Sequence, residues 1–508
     1  MAVFRLGEEN EEISMEKYSN LIGGKLVPPL SKEYFENLNP ADQSDIVGLF
    51  PKSGEMDIAL AVDAAQKTFL RWSSMPAPKR GELIYKAGEL LLKNQENLAR
   101  VIVREMGKTL PESMGDIKSS ADVAFFMAGE GRRMYGQSTF SALERRWAIT
   151  KRCPVGVCGL ITAWNAPMAI ITWKLFPALI CGNSVVLKPS EDSPLTAHLL
   201  GELLKEAGFP DGVVNIVYGI GPESGEALVK NPRVNLISFT GSTKVGKMIA
   251  EECGRQLKKC SLEMGGKNGL IVMPDADLSS AAKAAAQGAF STAGQRCAST
   301  SRVFVHKDIY NVFLSKLLEE TRMMKVGPGG DQETRVCPII NKRQFLSIMD
   351  YIEEAKKAGY RLLCGGKALI DGQYSKGWYI EPTIFVDVDP KSRLAQEEIF
   401  GPILAVFQII DLNDALMKIN AVEYGLTASI FTSSVDIAMQ ALDTIQAGCC
   451  YVNAPTFGSE PHMPFGGIKN SGNGSREPGT QAIDVFTEWK TIYIDYSGIT
   501  QNSQFRTF

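Results

Sequence analysis

Between residues 154 and 253 short β-rich runs alternate with helical ones, and that alternation constrains the chain to a parallel, doubly wound α/β sheet. Segments 155–161, 184–188, 213–217 and 236–239 read as buried strands. The stretches 168–179, 195–207, 223–229 and 244–253 carry helical periodicity between and after them. A second α/β series opens at 269–272. It continues through an alanine-rich helix at 278–290, a strand at 302–305, a helix at 309–318, a strand at 383–388 and a helix at 412–419. The change from one domain to the next is expected between Gly265 and Gly269. Upstream, residues 57–104 have long helical periodicity, with Ile58, Ala61, Val62, Ala65 and Phe69 followed by Leu83, Ala87, Leu90, Leu91 and Leu98. Two segments fit neither core: 139–152, of alternating character, and 485–494, in which 491–494 reads as an edge strand.

At 508 residues the chain exceeds what one core supports, so two or three domains are expected. A net charge of -3 with no Lys/Arg-rich run excludes a general nucleic-acid footprint. The first twenty residues carry Glu8, Glu9, Glu11 and Glu12 and no apolar core, unlike a signal peptide. The longest apolar stretch, 168–187, is interrupted by Lys174, Pro177, Gly182 and Asn183, whereas a membrane span needs roughly 20 nearly uninterrupted apolar residues. Ten cysteines are too dilute for a disulfide scaffold, and the chain reads as cytoplasmic. With three isolated histidines (His198, His306, His462) and no C-x-x-C pair, no ligand set for a catalytic metal is expected.

Two glycine-bearing segments hold the residues with chemistry: Cys297 in 294–300 and Glu263 in 262–268. A thiol can form a covalent thioester, and a carboxylate can activate the water that releases it. No histidine lies near either. The stretch 239–246 runs from a strand into a helix with Ser242 or Thr243 available as N-cap, a site where free N–H groups face a phosphate. Lys188 and Glu191 follow another strand, spaced to hydrogen-bond a ribose. Taken alone, Cys297 also fits a buried structural cysteine, Glu263 a solvated surface carboxylate and 239–246 an ordinary strand-to-helix turn, while 188–191 by itself reads first as a solvated charged loop.

Together the motifs resemble the aldehyde dehydrogenase superfamily over nearly the whole chain. They are Ile22-Gly23-Gly24-Lys25, Asn39-Pro40-Ala41, Trp164-Asn165-Ala166-Pro167, Lys188-Pro189-Ser190-Glu191, Phe239-Thr240-Gly241-Ser242, Leu262-Glu263-Met264-Gly265-Gly266-Lys267, Gly294-Gln295-Arg296-Cys297, Glu397-Glu398-Ile399-Phe400-Gly401-Pro402 and Pro464-Phe465-Gly466-Gly467. The resemblance is greatest to members acting on α-ketoglutaric semialdehyde.

It implies a Rossmann-like dinucleotide-binding domain (1–136 and 154–266), an α/β catalytic domain (267–477) and a small β bridging element (137–153 and 478–508), the last pointing to a homodimer or homotetramer. Cys297 matches the nucleophile, Glu263 the general base and Asn165 the oxyanion-hole donor. Lys174 and Glu477 match residues of the proton path or of site support. The cofactor implied is NAD: Glu191 would repel a 2′-phosphate, while Lys188 leaves NADP open. Lys188, Ser190 and Glu191 match the adenine-ribose side, Phe239, Gly241 and Ser242 the pyrophosphate turn, and Gly265, Glu398 and Phe400 the nicotinamide-ribose side. Ile161, Trp164 and Gly225 fall on the same cleft. The substrate mouth implied is Met168, residues 298–300 and residues 454–461.

Three positions depart from the family pattern: Met264, where leucine is usual, Gly269, where proline is usual, and Cys337, where glycine is usual. The activity implied is NAD(P)-dependent oxidation of an aldehyde, such as a short semialdehyde, to a carboxylic acid. Its rivals are a coenzyme A-acylating member, which typically lacks the glutamate, a cysteine hydrolase, which would want a histidine base, and an inactive binding protein of the same fold.

Overall fold

The computed structural model describes residues 16–498, so the acidic N-terminal segment and the last ten residues lie outside it. Two seven-stranded sheets form the body. The first has the order Lys259–Glu263, Leu236–Thr240, Val157–Ile161, Ser184–Lys188, Val214–Ile216, Asn20–Ile22, Lys25–Val27. Its first five strands are parallel. The other two form an antiparallel hairpin turned by Gly23 and Gly24, whose φ angles of 59° and 77° suit glycine. Strands such as Ser184–Lys188 are buried along their whole length, which is why they read as continuous apolar runs.

The doubly wound α/β expectation therefore holds. The chain runs from Val157–Ile161 outward in one direction, then restarts at Leu236–Thr240 on the other side. The switch between those two adjacent strands opens a crevice at their carboxyl ends, where such sheets take ligands.

The second sheet has the order Arg361–Cys364, Thr383–Val386, Ile403–Ile409, Thr300–His306, Asn268–Val272, Thr427–Phe431, Cys449–Val452, parallel except at Arg361–Cys364. Only residues 264–267 link Glu263, the last residue of its strand, to Asn268, the first residue of a strand in the other sheet. Carboxyl ends of the first sheet thus face amino ends of the second. A third, three-stranded antiparallel sheet joins Ser138–Phe140, Arg146–Pro154 and Thr487–Asp495, with the last as an edge, as its alternation predicted.

Helices Glu55–Ser74, Ala77–Lys93 and Gln95–Met106 account for the upstream periodicity. Elements with no counterpart in the sequence expectations include two in this N-terminal part. One is the hairpin Tyr34–Asn39 with Asp42–Pro51. The other is helix Leu110–Glu130, which begins at a capping box between Thr109 and Glu112. Segment 223–229 proves to be a π turn, Gly221–Gly225, running into a short helix, Glu226–Lys230. Among the described residues no helix is long and apolar enough to cross a membrane.

Candidate active site

Four parallel strands of the first sheet end in the residues singled out from sequence. Ile161 leads to Trp164 and Asn165, Lys188 to Ser190 and Glu191, Thr240 to Gly241 and Ser242, and Glu263 to Gly265. From the opposite side, Cys297 precedes strand Thr300–His306, and Glu398 and Phe400 precede strand Ile403–Ile409.

Glu263 is buried, and neither of its carboxylate oxygens has a hydrogen-bond partner among the described residues. Space for the carboxylate exists because Gly466 lacks a side chain: a Cβ there would sit 2.6 Å from Glu263 Oε1. Burial, reinforced by the charge of Glu477, pushes the Glu263 carboxyl well above the usual carboxylate range, and Lys174 and Arg476 oppose it. Cys297 is half-buried, and burial followed by the charges of Glu398 and Glu263 pushes its thiol up to about 12. The backbone N–H groups of Ala298 and Cys297 pull the other way. Nucleophile candidate and base candidate thus share one electrostatic environment.

The peptide of Cys297 is fixed by a residue the sequence reading passed over. Asn268 Nδ2 donates to Cys297 O at 2.7 Å and to Ser299 O at 2.8 Å, while its Oδ1 accepts from Thr427 N. Thr456 Oγ1 donates to Ala298 O and pairs with Thr300 Oγ1, tying the 454–461 loop to 298–300. Met168, expected at that mouth, is instead wholly buried in the apolar core around helix Pro167–Ile180. Asn165 is buried just ahead of that helix.

Lys174 and Glu477 form a buried ion pair at 2.6 Å. Ser238 Oγ and Ser261 Oγ both donate to Glu477 Oε1, and Ser261 also lies 2.9 Å from Ser475 Oγ, in hydrogen-bonded contact with the exposed Asn473. Removing one partner of a buried pair leaves an uncompensated charge. Lys174→Met is therefore expected to lower stability by about 3–5 kcal/mol, read as a lower denaturant midpoint. An unchanged midpoint would mean the pair does not hold the loop in place.

On the cleft side, Ser242 is the N-cap of helix Thr243–Arg255, accepting from Val245 N. Gly241 has no room for a side chain, because a Cβ would meet the Phe239 ring at 2.4 Å. Phe239 itself packs into the apolar core beneath the turn. Lys188 Nζ bonds Glu191 Oε2 at 2.9 Å; burial raises the Glu191 carboxyl, but Lys188 prevails and holds it below its ordinary value. Ser190 Oγ accepts from Asp192 N. Around Gly225 a Cβ would meet nothing within 4 Å. The Trp164 and Phe400 rings meet edge to face at 5.4 Å, and Gln344 Nε2 holds the carbonyls of Ile399 and Phe400.

Glu398 Oε1 accepts from Gly266 N at 3.0 Å, and burial pushes its carboxyl up to about 7. A Cβ on Gly265 would sit 2.1 Å from Glu398 Oε2. The departures from the family pattern have local reasons in two cases. Met264 Sδ occupies the space above Gly246, and a side chain at Gly269 would overlap Ile419 at 2.5 Å. Cys337 is buried, with Sγ 4.0 Å from Gln295 Nε2.

The profile described as "Aldehyde dehydrogenase family" matches residues 27–492. The chain belongs to the aldehyde dehydrogenase family. Its chemistry is oxidation of an aldehyde group, and the expected fold is borne out. It is 40% identical to the α-ketoglutaric semialdehyde dehydrogenase of Bacillus subtilis over 94% of this chain and 98% of that one. It is 39% identical to human retinaldehyde dehydrogenase 3 over 91% of this chain and 90% of that one. The crystal structure of an NAD-dependent aldehyde dehydrogenase from Sinorhizobium meliloti superposes with a TM-score of 0.92 at 34% identity, covering 96% of each chain.

For an aldehyde dehydrogenase built this way, Gly265→Ala is expected to displace the Glu398 carboxylate. With Glu398 as the expected nicotinamide-ribose contact, loss of one charge-assisted hydrogen bond is worth about 1.5–3 kcal/mol, so the Kd for NAD should rise roughly tenfold or more. An unchanged Kd, measured by calorimetry, would remove Glu398 from cofactor binding.

Proposed function

We propose that this aldehyde dehydrogenase oxidises a short semialdehyde, such as α-ketoglutaric semialdehyde, to the carboxylic acid with NAD, releasing the acid by hydrolysis. The observation that carries the reading is the buried carboxylate of Glu263, without a hydrogen-bond partner among the described residues and close enough to Cys297 to raise its thiol. A carboxylate kept free of partners and with a raised pKa is suited to take a proton from water.

The Cys297 sulfur attacks the aldehyde carbon, and the side-chain amide of Asn165 with the Cys297 N–H stabilises the oxyanion. NAD, when bound, supplies the hydride acceptor and a positive ring charge that favours the Cys297 thiolate. The thioester left on Cys297 is hydrolysed by water that gives its proton to Glu263, and the thiol is regenerated. Lys174 and Glu477 act on that carboxylate through their charges, and Glu477 is itself tied through Ser261 and Ser475 to Asn473 at the surface.

The cleft fits a dinucleotide. Open space at Gly225, the capped helix behind Ser242 and the carboxylate of Glu398 support a site for a pyrophosphate and two riboses there. The Lys188–Glu191 pair favours NAD over NADP by placing a carboxylate where a 2′-phosphate would come. The Bacillus subtilis relative's name supports the semialdehyde, and the retinaldehyde relative, at nearly equal identity, is why the panel below includes apolar aldehydes.

We read the domains as 1–136 with 154–266 for the cofactor, 267–477 for catalysis, and 137–153 with 478–508 for assembly, of which 1–15 and 499–508 lie outside the described residues. Phe140, Trp147, Trp489 and Tyr493 are exposed on the three-stranded sheet and would be covered in a homodimer or homotetramer; a monomer by light scattering would refute that. Ten free thiols accord with a cytoplasmic enzyme, which fractionation would contradict by placing the protein elsewhere.

Steady-state kinetics over semialdehydes and aliphatic aldehydes, with NAD and NADP and with or without coenzyme A, tests the whole reading. The expected result is highest kcat/KM for a carboxylate-bearing semialdehyde with NAD and free acid as product. An acyl-coenzyme A product, or preference for a long apolar aldehyde, would overturn it.

A further inference from the structure

Immediately before Cys297 the backbone takes three consecutive left-handed conformations: Thr292 (φ 52°, ψ 25°), Ala293 (φ 54°, ψ 35°) and Gly294 (φ 69°). Only the third is glycine, so two side-chain-bearing residues are held where such residues are strained. Gly294 is obligatory, because a Cβ there would sit 2.2 Å from Gly401 O. Something outside the loop must hold the other two.

On one side the anchor is Gln295. Its Nε2 donates to Thr292 O and Pro338 O, and its Oε1 accepts from Ile340 N. On the other side the anchor is a carboxylate 180 residues away in sequence. Glu112 Oε1 accepts from Thr292 Oγ1 at 2.9 Å and from Arg296 Nη2 at 2.9 Å, and Arg296 Nε donates to Thr292 Oγ1 at 2.8 Å. The three side chains close a ring around the strained segment. The Arg296 guanidinium lies over the Phe457 ring at 5.0 Å, extending the same contact to the 454–461 loop. Glu112 Oε2 meanwhile accepts from Thr109 N and Oγ1, so its orientation is fixed by the first turn of helix Leu110–Glu130.

We propose that Glu112 is a positioning residue for the nucleophile: through Thr292 and Arg296 it holds the left-handed turn that aims Cys297. The proposal rests on Cys297 as the nucleophile and goes beyond it, since nothing in the chemistry of the thiol requires this particular carboxylate. A helix cap alone would use Oε2 and leave Oε1 to solvent. Here Oε1 takes two donors from the catalytic loop. Displacement of a reacting group by about 1 Å is enough to slow a reaction about 100-fold without touching the reacting atoms.

The test compares the parent with Glu112→Ala and Glu112→Gln. The rate of Cys297 alkylation by iodoacetamide, kcat, and the Kd for NAD are measured on the full chain. The expected result for Glu112→Ala is a 10- to 100-fold lower kcat, slower alkylation, and a Kd for NAD within about twofold of the parent, because the anchor is absent from the cleft. Adding Ala293→Gly to Glu112→Ala should restore part of the loss, at least about fivefold, since glycine adopts the left-handed conformation without the anchor.

Glu112→Gln keeps the size and one acceptor oxygen but drops the charge. It decides the question if the alanine variant does not fold, with an expected loss of about three- to tenfold in kcat and in alkylation rate, a charged hydrogen bond being roughly twice as strong as a neutral one. Parental kcat and alkylation in a folded Glu112→Ala, or in Glu112→Gln where alanine does not fold, would overturn the proposal. So would losses of kcat and NAD affinity in parallel that Ala293→Gly does not relieve. If iodoacetamide modifies Cys297 of the parent without inactivating it, the nucleophile assignment fails instead, which keeps the two readings separable.

Discussion

Cys297→Ala is expected to lower NADH formation by at least about 10⁴-fold, the scale seen when a covalent nucleophile is removed, while the Kd for NAD stays within about twofold. Alanine keeps the peptide that Asn268 grips through Cys297 O, so the loop should hold its shape. What disappears is the sulfur proposed to form the thioester. The cofactor cleft we propose is built from Lys188, Ser242, Glu398 and their neighbours, none of which is bonded to the sulfur.

One other thiol feels Glu263: Cys449, half-buried on strand Cys449–Val452, whose pKa burial raises and Glu263 raises further. Parental turnover in Cys297→Ala would shift the assignment to it, and a Cys449→Ser control, expected to retain dehydrogenase activity, separates the two. Loss of NAD binding together with turnover would mean the substitution had collapsed the loop.

Four central strands of the first sheet and the residues at their carboxyl ends were legible because period and turn chemistry coincide there, whereas in the second sheet Ile403–Ile409, Thr427–Phe431 and Cys449–Val452 were not assigned. Val157–Ile161 and Ser184–Lys188 are buried throughout, have apolar centres and lead to Trp164, Lys188 and Glu191, so the crevice is traceable in the sequence. Helix Leu278–Phe290 matched its expected bounds because Asp277 caps it and alanines fill one buried face. Helix Leu110–Glu130 was signalled locally by Thr109 and Glu112 three positions apart, yet the break at Gly107, with φ 85°, concealed it.

Long-range partnerships left no such trace. Asn268 and Cys297, Glu112 and Thr292, and Lys174 and Glu477 meet only after both sheets are in place. No local spacing encodes those contacts. Met168 illustrates the converse: the family resemblance implied the mouth, but it sits in the first turn of a helix whose apolar residues pack inward.

Glu263→Gln is expected to give one equivalent of NADH per site and then stall, with steady-state turnover reduced about 10²–10⁴-fold, the range for losing a general base. In the proposed sequence hydride transfer precedes hydrolysis, so the acyl group should remain on Cys297 and be visible by mass spectrometry. The pH dependence adds an independent check. In the parent, hydrolysis needs the ionised carboxyl, whose pKa lies well above the usual value because of burial and Glu477. Turnover should therefore fall as pH is lowered through that raised pKa, and glutamine should flatten the limb.

Stability moves with the opposite sign. The folded chain binds a proton at Glu263 that the unfolded chain releases at lower pH, so this group's contribution is fully present below the unfolded carboxyl pKa. It declines as pH rises towards the folded one. Replacing the group by glutamine removes that slope, and the variant should gain on the parent as pH increases through the same window. A variant that loses both the burst and its stability would place Glu263 in the fold of the site. A variant with no burst but a parental unfolding midpoint would move its role ahead of hydride transfer, to deprotonation of Cys297.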